Sequence, residues 1–180
     1  MSITIDLETT AITPDAGILR IAAVKFNTSG GNPGIRSIFD LGVSLDSQHA
    51  RKVCANTMKW WDGQPTKVKE EAFSGVCPIH EALEHLSSYI GDKDELVWVR
   101  GATFDPVILQ DAYSELGMEL PFKYYKVHEI RTLEMTAVRL GIKRAPRPPE
   151  GLAHTALGDA RYQAEQVIYY QKELERLCKK

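Results

Sequence analysis

Ile3-Thr4-Ile5-Asp6-Leu7-Glu8-Thr9-Thr10 reads as a short β-strand carrying two carboxylates where a buried strand carries apolar side chains. Side chains on a strand alternate between faces, so Ile3, Ile5 and Leu7 share one face while Asp6 and Glu8 stand together on the other. Two acids that close raise each other's pKa or recruit a cation. Hard oxygen ligands of this kind suit Mg²⁺ or Mn²⁺. Taken alone, the octapeptide fits the exposed end of an edge strand equally well.

Working outward, Thr13-Pro14-Asp15-Ala16-Gly17 supplies turn chemistry, and Ile18 to Phe26 is a second, largely apolar strand. Asn27 to Gly34, rich in Gly, Ser, Asn and Pro, is a turn into a third strand over about Ile35 to Ser44. Short loops between three strands predict an antiparallel meander. From Asn56 the period becomes helical. Asn56 or Thr57 is read as the cap of a short helix holding Met58, Trp60, Trp61 and Gln64, and Pro65 and Pro78 each open a further helix. Ile79, Leu83, Leu86 and Ile90 recur at helical spacing until Gly91.

Leu96-Val97-Trp98-Val99 has the short apolar character of a covered parallel strand. After it, Thr103 is read as the cap of a helix that Pro106 starts and that runs to about Gly117. Asp105 then falls where a strand ends and a helix begins, the position at which open α/β sheets bind ligands. Val127 to Ile130 is a fifth strand, Thr132 the cap of a helix to Gly141, residues 142–153 a Pro-rich loop, and Thr155 to Leu177 a long final helix. The order β-β-β-α-β-α-β-α predicts an α/β fold with a mixed sheet, three antiparallel strands followed by parallel ones, flanked by helices. It resembles the ribonuclease H-like architecture.

Composition narrows the function. The chain has 180 residues, 43% hydrophobic and 26% charged, which fits one soluble domain spanning residues 1–180. A formal net charge of -2 gives no global basic field for coating nucleic acid or anionic membrane. Cys54, Cys77 and Cys178 form no C-x-x-C pair, and there is neither a signal segment nor an apolar run of about 18 residues. A reducing, cytoplasmic setting without a membrane is the expectation.

The final helix opens with Gly151-Leu152-Ala153-His154-Thr155-Ala156-Leu157-Gly158-Asp159-Ala160. Asp6-x-Glu8, Asp105 and His154-x-x-x-x-Asp159, each on its expected element, resemble the DEDDh family of 3′-5′ exonucleases. The match is nearest to its small phage and bacterial exoribonuclease or oligodeoxynucleotide exonuclease members. Trp60, Trp61 and Gln64 resemble the tryptophan pair and glutamine of that subgroup.

The resemblance implies two divalent ions, Mg²⁺ or Mn²⁺. One would be held by Asp6, Glu8 and Asp159, the other by Asp6, which bridges, with Asp105 acting through water. It makes His154 the base that deprotonates water, a task suited by histidine's ordinary pKa of about 6.5. It places the terminal 3′ hydroxyl at Leu7, Glu8 and Thr9, with Phe104 and one of Trp60 or Trp61 as base-stacking candidates. Arg131 is a candidate phosphate contact. Lys143, Arg144 and Arg147 fit a solvated loop better than a phosphate site. Relatives are often dimers, which leaves a homodimer as an open option.

The chemistry asks for the same residues independently. Four carboxylates match the charge of two divalent cations, and without cations they would repel one another severely. Five helical residues turn through about 500°, leaving His154 and Asp159 roughly 140° apart in projection if both were helical. His154 is therefore expected before the helix starts. The expected function is removal of nucleoside 5′-monophosphates from the 3′ ends of single-stranded RNA or DNA. The alternatives are a catalytically inactive binding or assembly module of the same fold and a ribonuclease H-type endonuclease.

Overall fold

The computed structural model describes residues 1–28, 33–146 and 155–179. Its centre is one five-stranded sheet. The strands are β1 (Ser2–Thr9), β2 (Ile18–Asn27), β3 (Gly34–Gly42), β4 (Leu96–Val99) and β5 (Val127–Glu129), in the order β3-β2-β1-β4-β5. The first three pair antiparallel, and β4 and β5 add in parallel. The helices are α1 (Ala55–Asp62), α2 (Thr66–Phe73), α3 (Ile79–Ile90), α4 (Asp105–Glu115), α5 (Ile130–Arg139) and α6 (Ala156–Cys178).

Alternation along β1 separates two layers. Ile3, Ile5 and Leu7 join Leu83, Leu86 and Ile90 of α3 and Ile108, Leu109 and Ala112 of α4 in the larger core. The opposite face lies under α6, whose Ala156, Ala160 and Ala164 recur every fourth residue and pack on Ala22, Val24 and Phe26 of β2. Such small side chains let the helix backbone approach closely, and the Thr4 hydroxyl donates to the Ala160 carbonyl at 2.8 Å. Burying this apolar surface, at about 25 cal/mol per Å², fixes α6 across β1.

Several helix starts differ from expectation by a residue or two. Pro65 and Pro78 are the N-caps of α2 and α3, and their extended carbonyls accept the first helical bonds from Val68 and Ala82 at 2.9 Å. Cys54, rather than Asn56 or Thr57, caps α1, and Phe104, rather than Thr103, caps α4. Neither makes a side-chain cap bond, so composition carries no signal for them. Glu129 caps α5 in place of Thr132, because its longer carboxylate reaches forward to accept from the Thr132 N–H at 2.6 Å. Gly91 stops α3 with φ 67°, a left-handed conformation that costs a residue with a Cβ. Among the described residues, no helix is long and apolar enough to cross a membrane.

Candidate active site

β1 and β4 pair only over Ser2, Ile3 and Thr4, after which β4 ends and the two strands part. The second half of β1 therefore has open space on that side. Asp105 fills part of it. Its carboxylate is buried and accepts the Leu7 backbone N–H at 3.1 Å, taking the place of a sheet hydrogen bond. Pro106 follows in the first turn of α4, where its missing N–H costs nothing.

From the other layer, α6 brings Asp159 in its first turn, below the N-cap Thr155, whose hydroxyl accepts from the Gly158 N–H at 3.1 Å. Asp6, Glu8 and Asp159 each offer a carboxylate oxygen within 4.8 Å of the others. Asp105 stands outside that triplet, yet it is near enough to raise the carboxyl pKa of both Asp6 and Glu8. Because α6 begins at Ala156, the spacing argument holds for the helix start. His154 lies outside the described residues, as do Arg147 and Gly151.

Burial and mutual repulsion act in the same direction on these carboxyls. Burial first, then Asp105, Glu8 and Asp159, push the Asp6 carboxyl well above the ordinary range. Burial and Asp159 carry Glu8 up to about 8, opposed by Arg20. Burial takes Asp105 to about 7, opposed by the Leu7 N–H and by Arg131. Glu8 lies directly across from Arg20 in the β1-β2 register, but the Arg20 fork is engaged by Asp40 at 2.7 and 2.8 Å. A set of hard oxygen donors that burial and mutual repulsion hold toward the protonated state fits divalent cations, whose charge reverses both effects.

Beside the acids, a cleft of about 400 Å³ is lined by Leu7, Glu8, Thr9, Ile12, Asn56, Thr57, Trp60, Trp61 and Phe104. Adjacent helical residues cannot face the same way, and the tryptophan pair divides accordingly. Trp61 is 1% exposed and its indole N–H donates to the Thr9 carbonyl at 3.0 Å, tying α1 to the end of β1. Trp60 is 46% exposed and meets Trp61 edge-on at 4.9 Å between ring centroids. Trp60 and Phe104 thus offer aromatic surface to the cleft. Trp98 is buried core, packed on His128.

Arg131 does not line the cleft. Its guanidinium lies against Gly101, whose φ of 139° favours a residue without a Cβ, and it acts on Asp105 electrostatically. Arg144, largely exposed, pairs with Glu134 at 2.7 Å.

Sequence reasoning gave no site role to Arg20, Ile12, Asn56 or Gln163, all of which lie at the acids or the cleft. Arg20 could have been found from the meander register opposite Glu8. Gln163 could have been found as the residue one helical turn after Asp159, on the same face of α6.

The family model of the Rv2179c-like 3′-5′ exoribonuclease domain matches residues 1–171. No curated protein matches the chain. The fold is similar to the nuclease domain of 3′hExo, a DEDDh family member bound to rAMP, with a TM-score of 0.61 and 17% identity over 95% of this chain and 91% of that one. It is also similar to exonuclease X in complex with 5′ overhanging duplex DNA, with a TM-score of 0.59 and 20% identity over 96% and 92% of the two chains. Cell-death related nuclease 4 matches with a TM-score of 0.62 and 19% identity over 97% of this chain, which spans 63% of that protein's length. The ribonuclease H-like sheet gathers acids from β1, α4 and α6 at its centre. The chain belongs to the Rv2179c-like 3′-5′ exoribonuclease domain family.

Proposed function

We propose that this chain acts as a single-domain, metal-dependent exonuclease that removes nucleoside 5′-monophosphates stepwise from the 3′ end of single-stranded nucleic acid. RNA is the first substrate expected, given the family. One observation carries the reading: Asp6, Glu8 and Asp159, from a strand and a helix far apart in sequence, meet with carboxylate oxygens within 4.8 Å. A cluster so costly to leave charged is retained where cations complete it.

Asp6, Glu8 and Asp159 would hold one divalent cation, Mg²⁺ or Mn²⁺, and Asp6 with Asp105 a second. Cations there supply positive charge to the scissile phosphate and the leaving 3′ oxygen and make water acidic at neutral pH. His154 accepts the proton of the attacking water on a ring nitrogen. The backbone of Leu7, Glu8 and Thr9 receives the terminal nucleotide, and Trp61, anchored on Thr9, keeps that strand end in place. Trp60 and Phe104 stack on bases in the cleft, a contact that tolerates any sequence because every base has a π-face. Arg131, beside Asp105, supplies positive potential at the same end of the sheet.

The test is a 5′-labelled oligonucleotide incubated with Mg²⁺ or Mn²⁺, as matched RNA and DNA, with and without a 3′ block. Stepwise shortening that the block prevents supports the proposal. Internal cuts would identify an endonuclease. No cleavage with either cation would leave a binding or assembly module.

A further inference from the structure

Gln163 sits on α6 one turn beyond Asp159, and its side chain donates from Nε2 to Asp6 Oδ1 at 2.6 Å. The residue is 3% exposed. Its other polar atom, Oε1, is buried without a hydrogen-bond partner among the described residues. A buried orphan acceptor is a cost that a methionine or leucine of similar volume would not carry. Packing alone therefore does not account for glutamine here; the short N–H bond to Asp6 does.

We infer that Gln163 is a positioning residue for the metal seat. Asp6 is surrounded by three carboxylates, none of which can steady it when all are charged. Gln163 is a neutral donor with a fixed root on the helix that also carries Asp159. Its amide occupies one side of Oδ1 and turns the carboxylate toward Glu8 and Asp159, so that β1 and α6 present their acids in register. A lysine or arginine at this place would neutralise Asp6 and compete with the cation; an amide orients without neutralising. Partners of this kind, outside the ligand set, typically set metal affinity by about 10- to 100-fold. The inference rests on the proposed cation site.

The test is calorimetric titration of the full chain with Mn²⁺ in the absence of nucleic acid, comparing wild type with Gln163→Met and Gln163→Asn. Methionine keeps the volume and removes the donor; asparagine keeps the amide but falls short by one methylene. Both are expected to bind Mn²⁺ about 10- to 100-fold more weakly, with a smaller cation-induced rise in melting temperature. The metal-free methionine variant is expected to melt at or above the wild-type temperature, which separates positioning from a structural role. Wild-type Mn²⁺ affinity in either folded variant overturns the inference, and the asparagine variant decides the matter should the methionine variant not fold. Failure of the proposed function shows differently, as a wild type that binds no Mn²⁺.

Discussion

On one face of β1, Ile3, Ile5 and Leu7 enter an apolar cluster with α3 and α4; on the other, Thr4, Asp6 and Glu8 lie under α6 beside Asp159 and Gln163. Burial acts on the two faces with opposite sign. Each apolar side chain gains from leaving water, whereas each carboxylate loses hydration and meets its own charge again in its neighbours. One strand thus couples a stabilising apolar layer to a costly charged one. The first face holds the second in place.

The comparison breaks most visibly at Asp6. Asp6→Asn keeps the volume and the Gln163 contact but removes the carboxylate proposed to hold both cations. Cleavage is expected to fall below detection, and divalent cations should no longer raise the melting temperature. The metal-free variant should melt above metal-free wild type near neutral pH, since an amide has no charge to desolvate. A variant that still cleaves would detach function from the acidic face.

Next in size is His154→Ala. It should keep cation affinity and lose rate by about 10²- to 10⁴-fold, the usual share of a general base, as read by single-turnover cleavage. Wild-type rates would remove that residue from the reaction.

On the apolar face, Ile5→Ala leaves a cavity at a site of 0% exposure. It should cost about 2–5 kcal/mol in chemical denaturation, with cation affinity of the folded molecules unchanged. Equal damage to metal binding would show that the two faces are not separable. Trp60→Ala should raise KM for oligonucleotides by roughly 5- to 150-fold, equivalent to about 1–3 kcal/mol of base stacking, with little change in melting temperature. Trp61→Ala, in contrast, should unsettle the fold.

The charged face also predicts a pH slope. Glu8 and Asp105 have folded-state pKa values raised to about 8 and about 7 from 4.5 and 3.8. The folded chain therefore holds protons that the unfolded chain has already released. Their contribution to stability is full below the ordinary carboxylate range and is lost as pH rises through about 7 and then about 8. Melting of chelator-treated protein should fall across that window, and saturating Mg²⁺ should flatten the slope, because cations replace the protons. A metal-free melting temperature that rises over the same window would contradict the assignment.

Much of this is legible in the sequence. Alternation alone put Asp6 and Glu8 together, apolar spacing placed α3, and the run Leu96–Val99 was read to its ends. What escaped was of two kinds. Helix starts at Cys54 and Phe104 escaped because they make no side-chain bond and so leave no compositional mark. Gln163 escaped because an amide inside a polar helix face looks like solvent-facing residues until the helix is laid across β1. The Trp60-Trp61 pair shows the boundary well: helical geometry requires one tryptophan inward and one outward, but only packing against Thr9 and Phe73 selects Trp61 for the interior.

Anomalous diffraction from crystals soaked in Mn²⁺ tests the central claim most directly. The account predicts two peaks, one among Asp6, Glu8 and Asp159 and a second shared by Asp6 and Asp105. Crystals that show no peak there at saturating Mn²⁺, or ions bound elsewhere with these four carboxylates left unliganded, would contradict it.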